Sequence, residues 1–149
     1  MRARDIMQPA RVVRPDDPGA TLIQAFEDPD VRAVAVIDDR GELLGLLTDE
    51  DLLYSCLPSY IIEDEALAGV LEDRFRQTLR RRIEGRPVRE VANTSRRRHP
   101  PVDANDNLFE VAVALVRSGD PAVLVVEGGR VVGVITVDAL LPALLGSAR

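Results

Sequence analysis

The sequence is poor in the residues that build disulfides, metal centres and aromatic binding platforms. Its 149 residues include one cysteine, one histidine, no tryptophan and 3% aromatic residues. The single cysteine, Cys56, excludes an intrachain disulfide and a cysteine-rich metal site, and we expect it to be a semi-buried apolar residue. The single histidine, His99, has no second histidine or cysteine nearby, so a zinc site and a serine-histidine relay both lack parts.

The charge and hydropathy patterns exclude two further classes. The net charge is −6, and all 19 basic residues are arginines. An acidic chain with few aromatics has neither the positive field nor the stacking platforms of a nucleic-acid binder. No apolar run approaches the roughly 20 residues of a membrane helix, and no apolar stretch follows the basic start as in a signal peptide. We therefore expect a cytoplasmic protein with neither nucleic acid nor membrane as a partner.

The chain contains an internal repeat. The matching segments are Val34–Ile37 with Val123–Val126, and Leu43–Leu53 with Val131–Leu141. Corresponding residues, such as Val13 and Val102, are 89 positions apart, and the separation becomes 88 after a short turn, as for Gly45 and Gly133. Two copies indicate a pseudo-symmetric pair with a site between them.

Each copy is predicted to run strand, helix, strand, strand, helix. The first copy has Val12–Val13, Ala20–Phe26, Val31–Ile37, Leu43–Leu47 and a helix from Asp49. The second has Pro101–Val102, Asn107–Arg117, Ala122–Val126, Val131–Thr136 and Val137–Leu145. The strand segments are nearly all apolar, which is typical of a sheet covered on both faces.

An insertion, roughly residues 54–87, separates the copies. Its apolar residues recur every four positions, at Leu67, Leu71, Phe75, Leu79 and Ile83. This spacing predicts one amphipathic helix, with acidic residues at its start and arginines at its end to complement the helix dipole. The helix either covers its own domain or also packs against another chain.

Gly45, Thr48 and Asp51 are the strongest site candidates. A strand that ends in Gly-x-x-Thr and leads into a helix offers a hydroxyl and backbone N–H groups, which suit a phosphate. Asp51, one turn into the helix, offers a carboxylate acceptor for a ribose diol. The same pair also fits a capping box, with Thr48 as N-cap. The recurrence of Gly-x-x-Thr in the second copy favours binding over capping alone.

These motifs resemble tandem CBS domains, the regulatory pair called a Bateman module. The matching segments are Arg4–Met7, Val13–Asp17, Val34–Asp38 and Gly45–Leu52, the last being a full version of the family's Gly-x-x-Thr-x-x-Asp signature. The resemblance covers Arg4–Tyr54 and about Val88–Leu145. It implies an α+β fold of two pseudo-symmetric β-α-β-β-α repeats packed through their sheets, with an inserted helix. The predicted divisions are residues 1–56, 57–87 and 88–149.

The resemblance also implies a function and site residues. Clefts between the repeats would bind AMP, ADP, ATP or S-adenosylmethionine, with no required cofactor, in a regulatory sensor of energy or metabolite levels. Thr48 would meet phosphate or ribose oxygens, Asp51 the ribose hydroxyls, and the strand through Val34 and Ala35 the adenine. Such modules usually pair, so we expect a homodimer, with a regulated protein partner of unknown identity.

Four further positions belong to the candidate set. Val13 and Arg14 end the first strand, and Arg14 and Arg32 are each a single cationic candidate for phosphate. Arg98 belongs to a run of arginines that either clamps phosphate or forms a solvated loop.

The second copy departs from the motif. Aligning Thr136 with Thr48 places Ala139 where the first copy has Asp51, and Asp138 lies about 100° away around a helix. Losing such an acceptor costs about 1.5–3 kcal/mol. We therefore predict one competent cleft, centred on Thr48 and Asp51. The cleft at Thr136 is degenerate, empty or used differently.

Catalysis is not expected. The sequence offers no nucleophile-base pair, no metal constellation and no Walker-type loop. Adjacent helix positions such as Asp49, Glu50 and Asp51 do not converge on one point, so a dedicated magnesium site is not expected either. The alternative to a nucleotide sensor is a module that serves only dimerisation and partner docking, without a ligand.

Overall fold

The computed structural model describes residues 1–93 and 99–146. In the first half the elements are α1 (Ala3–Ile6), β1 (Arg11–Val13), α2 (Ala20–Glu27), β2 (Ala33–Ile37), β3 (Leu43–Thr48) and α3 (Asp49–Cys56). The inserted region holds α4 (Ser59–Glu63), α5 (Glu65–Gly69) and α6 (Phe75–Glu84). The second half has α7 (Val88–Asn93), β4 (Val102–Asp103), α8 (Leu108–Ser118), β5 (Ala122–Glu127), β6 (Arg130–Thr136) and α9 (Val137–Leu145).

Two three-stranded sheets of identical topology confirm the predicted α+β fold. The orders are β1-β2-β3 and β4-β5-β6, with the first pair of each sheet parallel and the second antiparallel. The repeat extends to local detail. Val36 pairs with Gly45 and Val125 with Gly133, and each pairing is followed by a shift in register. The two halves therefore share one backbone plan.

The sheets pack face to face through small side chains. Ala33, Ala35 and Leu46 of one sheet meet Ala122 and Leu124 of the other in a buried cluster. Alanine at three of these five positions lets the central strands β2 and β5 approach closely. Because the opposite face of each sheet is covered by helices, β2 and β5 are buried on both faces, as their apolar sequences predict.

The halves are also interlocked. Helix α1 packs into the core of the second half, against α9 and β6, and Ala3 is fully buried there. Helix α7 packs into the core of the first half, where Val88 and Val91 are fully buried. Helix α1 thus begins the first half but packs on the second, and helix α7 begins the second half but packs on the first. This exchange holds the two halves together as one unit.

The predicted single helix of the inserted region is wrong. The region forms three short helices, and the chain leaves helical structure between Gly69 and Phe75. Of the predicted stripe, Ile83 is buried, whereas Leu67 and Leu71 are 39% and 41% exposed. Helices owe most of their stability to packing. Helix α6 packs against α2 and α3, and α4 buries Ile61, whereas α5 has no buried residue. Gly69, a poor helix former, then allows the break.

Candidate functional site

Thr48 and Asp51 form a reciprocal capping box at the start of α3. The backbone N–H of Thr48 donates to Asp51 Oδ2 at 2.9 Å, and the N–H of Asp51 donates to Thr48 Oγ1 at 3.1 Å. Both residues are buried, with 1% and 6% of their surface exposed. The capping interpretation of these residues is therefore confirmed, while ligand binding by the same pair stays a prediction.

The imidazole of His99 joins Asp51 to a second buried acid. His99 Nε2 lies 2.9 Å from Asp51 Oδ2, and His99 Nδ1 lies 2.6 Å from Asp120 Oδ2. The side chains of His99, Asp51 and Asp120 are 6%, 7% and 2% exposed. We call these three residues the buried triad. It connects the start of α3, in the first half, to the α8–β5 loop of the second.

Electrostatics within the buried triad favour an imidazolium held between carboxylates. Burial acts to lower the pKa of His99, but hydrogen bonds and charges from Asp51 and Asp120 outweigh it, and the pKa lies above its ordinary value. Burial likewise acts to raise the pKa of Asp51. The bond with His99 and the backbone N–H of Thr48 outweigh it, so that pKa lies below its ordinary value.

The repeat register shows that the buried triad has an apolar counterpart. Asp51, His99 and Asp120 correspond to Ala139, Ala10 and Val31. Three ionisable residues of one cleft are thus replaced by apolar residues at the corresponding positions of the other. The sequence analysis did not name His99 or Asp120 as site residues. The alignment of the two copies shows that two apolar positions of one copy are ionisable in the other, but their proximity to Asp51 is visible only in the structure.

The cleft at Thr136, where Ala10 and Val31 are the counterparts of His99 and Asp120, contains a cavity of about 300 Å³. It lies where the two halves meet, at the cleft of Thr136, whereas the sequence analysis predicted the competent cleft at Thr48 and Asp51. Its lining consists of Pro9, Ala10, Arg11, Asp28, Asp30, Val31, Arg32, Ala33, Ala122, Val134 and Thr136. Thr136 caps α9, with its Oγ1 accepting the N–H of Ala139 at 3.2 Å. The volume is at the lower end of the range for small-molecule pockets.

The charges around this cavity are balanced. Arg11 and Arg32 bring two positive charges to its wall, and Asp28 and Asp30 bring two negative ones. Arg32 also contacts Asp49, with its Nε 3.1 Å from Oδ2 and both side chains partly exposed. Such an exposed pair holds weakly, so the guanidinium can turn toward a ligand at little cost.

The structure separates the remaining candidates. Val13 and Val34 are buried in the core of the first half, and Ala35 in the cluster between the sheets. Arg14 contacts Asp39, its Nη1 2.7 Å from Oδ1, at the hairpin end of the sheet, whereas Thr48 lies at the other end of β3.

Two candidates remain to be placed. Gly45 is in mid-strand opposite Val36. Arg98 lies outside the described residues. Of the predicted set, Thr48 and Asp51 are hydrogen-bonded to each other, and Thr136 belongs to the other cleft.

In residues 1–93 and 99–146, no group of three or more histidine, cysteine or acidic side chains is placed to hold a metal ion. None of the helices in that part of the chain has the length and apolar character needed to cross a membrane. Cys56 is half-buried, as expected, and burial raises the pKa of its thiol.

Comparison with known sequences gives one family. The sequence profile of the CBS domain matches residues 3–58 and again residues 88–146. The two matches correspond to the two copies of the repeat and lie on either side of the inserted helices. No curated protein sequence matches the chain.

Solved structures share the fold. A CBS domain-containing protein of unknown function from Kribbella flavida is 23% identical with a TM-score of 0.79, and the match covers 97% of this chain and 99% of that one. CBSX2, a CBS-pair protein of Arabidopsis thaliana solved in complex with AMP, is 24% identical with a TM-score of 0.68, covering 97% and 96%. The cytosolic domain of the Mg²⁺ channel MgtE, solved with ATP, is 23% identical with a TM-score of 0.65, covering 96% and 48%.

Proposed function

Because the chain belongs to the CBS domain family, we propose that this regulatory CBS pair binds an adenosine nucleotide or related adenosyl ligand between its repeats. It would thereby sense an energy or metabolite level and change its own association or the activity of a protein partner in the cytoplasm, without catalysis of its own. The observation that carries the proposal is the cavity of about 300 Å³ between the halves. The AMP and ATP complexes of proteins with this fold support the choice of ligand class.

The lining of the cavity offers a complementary group for each part of an adenosine monophosphate. Ala10 and Val31 provide apolar surface for the base. Arg11 and Arg32 provide guanidinium forks that match phosphate oxygens. Asp28 and Asp30 provide acceptors for the ribose hydroxyls. These acids would take the role of the carboxylate that is missing from the second motif, which has Ala139 at the position of Asp51.

The balanced charge of the walls favours a ligand of low net charge. Two arginines offset the charge of one phosphate group, but the two aspartates repel the additional phosphates of ATP. We therefore propose AMP or S-adenosylmethionine as the better ligand and ATP as the weaker one.

Isothermal titration calorimetry with AMP, ADP, ATP and S-adenosylmethionine tests this proposal. We expect AMP to bind more tightly than ATP. Replacing Arg11 by alanine is expected to weaken AMP binding about tenfold, the effect of losing a charge-assisted contact of about 1.5 kcal/mol. Arg14→Ala is the matched control, because Arg14 lies at the opposite end of the sheet. Equal losses in the two variants, or no binding of any of the four ligands, would contradict the proposal.

A second candidate function is homodimerisation through the outer face of α8. Phe109, Val113 and Val116 lie at helical spacing on this face and are 71%, 49% and 82% exposed. Their counterparts on α2 are Ala20, Gln24 and Glu27, so this apolar stripe is present in one repeat only.

The charges beside this stripe favour a second copy as the partner. Glu110 and Arg117 lie on either side of the midpoint of α8. Two α8 helices crossing antiparallel about a two-fold axis near Val113 would bring each Glu110 toward the partner's Arg117, as a self-complementary interface requires.

A further inference from the structure

We propose that the inserted region, residues 59–87, pairs with the same region of a second copy of this chain. The contact is separate from the nucleotide cavity at Thr136 and from the face of α8, and it does not depend on either. Because the CBS domain profile matches residues 3–58 and 88–146, this surface lies outside both repeats.

Helix α5 lacks the packing that a short helix needs. All five of its residues, Glu65–Gly69, are exposed, whereas the neighbouring helices are anchored by buried side chains, α4 by Ile61 and α6 by Ile83. Isolated helices shorter than about 12–15 residues are marginal in water. Because its own chain offers α5 no core contact, we infer that another molecule packs against it.

The residues from Ala66 to Leu71 form an apolar run on the surface. Within it, Leu67, Val70 and Leu71 are 39%, 75% and 41% exposed. The run borders a surface cavity of about 360 Å³ between α5 and α6. The cavity is lined by Val70, Leu71, Glu72, Arg74, Phe75 and Thr78. Contiguous exposed apolar side chains of this kind indicate an interaction surface, unlike single scattered ones.

The charges of the inserted region are separated by sign along the chain. Residues 63–73 contain five acids and no basic residue, whereas residues 74–89 contain seven arginines and one acid. Arg74 contacts Glu72, with its Nε 3.1 Å from Oε2, but both side chains are largely exposed, so the pair holds weakly. The region therefore has an acidic part and a basic part that neutralise each other only slightly.

Exposed charges of both signs remain unpaired in the part of the chain that the structure describes. The acids are Glu63, Glu65 and Asp73, and the arginines are Arg76 and Arg81. Complementary charges across an interface steer association and fix its orientation. A partner that satisfies all of them must itself present both signs.

A second copy of the region meets this requirement. In a contact about a two-fold axis each surface meets an identical one, so an antiparallel crossing brings the acids of one copy to the arginines of the other. The apolar run 66–71 lies between the acids at 63–65 and the arginines that begin at Arg74, so the two runs meet near the axis. A purely anionic surface would be repelled by the acids, and a purely basic one by the arginines.

Sedimentation equilibrium of the native chain at rising concentration tests the proposal. A short apolar run with exposed charges makes a weak contact, so we expect the dimers formed through α8 to join into tetramers only as the concentration rises. Val70→Asp places a charge in the apolar run and should leave a dimer at every concentration. Leu44→Asp is the matched control, because Leu44 is 58% exposed but lies on β3, and it should associate like the native chain.

A charge reversal tests the complementarity without touching the apolar run. Arg81→Glu should weaken the association about tenfold, because a symmetric contact loses each attraction twice. Arg40→Glu changes the net charge equally in the exposed turn between β2 and β3 and should have no effect. Equal effects of the two reversals would overturn the proposed pairing of acids with arginines.

The face of α8 and the inserted region can be distinguished by combining variants. Val113→Asp should be a monomer where the native chain is a dimer, and at higher concentrations it should dimerise through the inserted region until Val70→Asp is added. A native chain that never exceeds a dimer and sediments like Val70→Asp would overturn the inference and leave the α8 dimer intact. A native chain that is monomeric at every concentration would overturn both contacts and leave nucleotide binding untouched.

Discussion

The imidazole of His99 lies 2.9 Å from the carboxylate of Asp51, although the two residues belong to different repeats. The contact uses the acid of the one complete Thr-x-x-Asp motif. Through Asp120, 2.6 Å from the other imidazole nitrogen, the contact becomes a link between the halves. The residue most expected to bind ligand thus also holds the two repeats together.

The first prediction concerns the pH dependence of stability. The raised pKa of His99 contributes stability that is complete below about 6.5 and is lost as the pH rises through the folded-state value. The lowered pKa of Asp51 contributes stability that is present above about 3.9 and is lost as the pH falls through its folded-state value. Urea unfolding should therefore show its highest free energy between about pH 4 and pH 6.5.

The double variant His99→Ala/Asp120→Val serves as the control for this profile. It removes the shared cation together with one of its acids, so the decline above pH 6.5 should disappear. A native profile with no decline between pH 6.5 and pH 9 would mean that the pKa of His99 is not raised in the folded state.

The second prediction compares two neighbouring acids. Asp51→Ala removes a carboxylate that contacts the buried His99 and also removes half of the capping box, so we expect a loss of about 3–5 kcal/mol of unfolding free energy. Asp49→Ala removes only a partly exposed contact with Arg32 and should cost less than about 1 kcal/mol. Urea titrations of both variants at pH 6 measure the difference. Similar losses of unfolding free energy in the two variants would show that the buried contact between Asp51 and His99 stabilises the fold no more than the exposed contact between Asp49 and Arg32.

The third prediction tests the interlock of α1 with the second half. A Cβ atom on Gly133 would lie 2.7 Å from Met7 Sδ and 2.9 Å from Met7 Cβ. Because part of the clash is with the rigid base of the side chain, Gly133→Ala should cost about 1–3 kcal/mol. Gly69→Ala, where an added Cβ meets nothing within 4 Å, should be neutral or stabilising by about 0.5–1 kcal/mol. Thermal unfolding followed by circular dichroism distinguishes the two.

The fourth prediction concerns the face of α8. Val113→Asp places a charge in the middle of the apolar stripe and is expected to convert a dimer into a monomer. Gln24→Asp, at the corresponding position of α2, should leave the dimer intact. Analytical ultracentrifugation over a range of concentrations measures both. If Val113→Asp sediments like the native protein, the interface lies elsewhere.

The elements that could be predicted from sequence are those with a strong local signal. Gly119 ends α8 in a left-handed conformation, as a glycine after an apolar helix predicts. Thr48 and Thr136 cap the helices that follow them, as their positions after a strand predict. The prediction of one inserted helix was wrong. The four-residue spacing of apolar residues continues past Gly69, but of this stripe Ile83 is buried whereas Leu67 and Leu71 are exposed, so little packing stabilises a continuous helix.

The sequence by itself determined the duplicated fold, because repeated apolar strands and helix caps specify local structure and the same pattern occurs twice. It also showed that one motif lacks its acid. Only the tertiary structure decided how the two clefts differ. His99, Asp51 and Asp120 are far apart in the chain, and they meet because the interlocked halves bring them to one buried point. A contact of this kind depends on how the two halves pack together and has no local pattern to announce it.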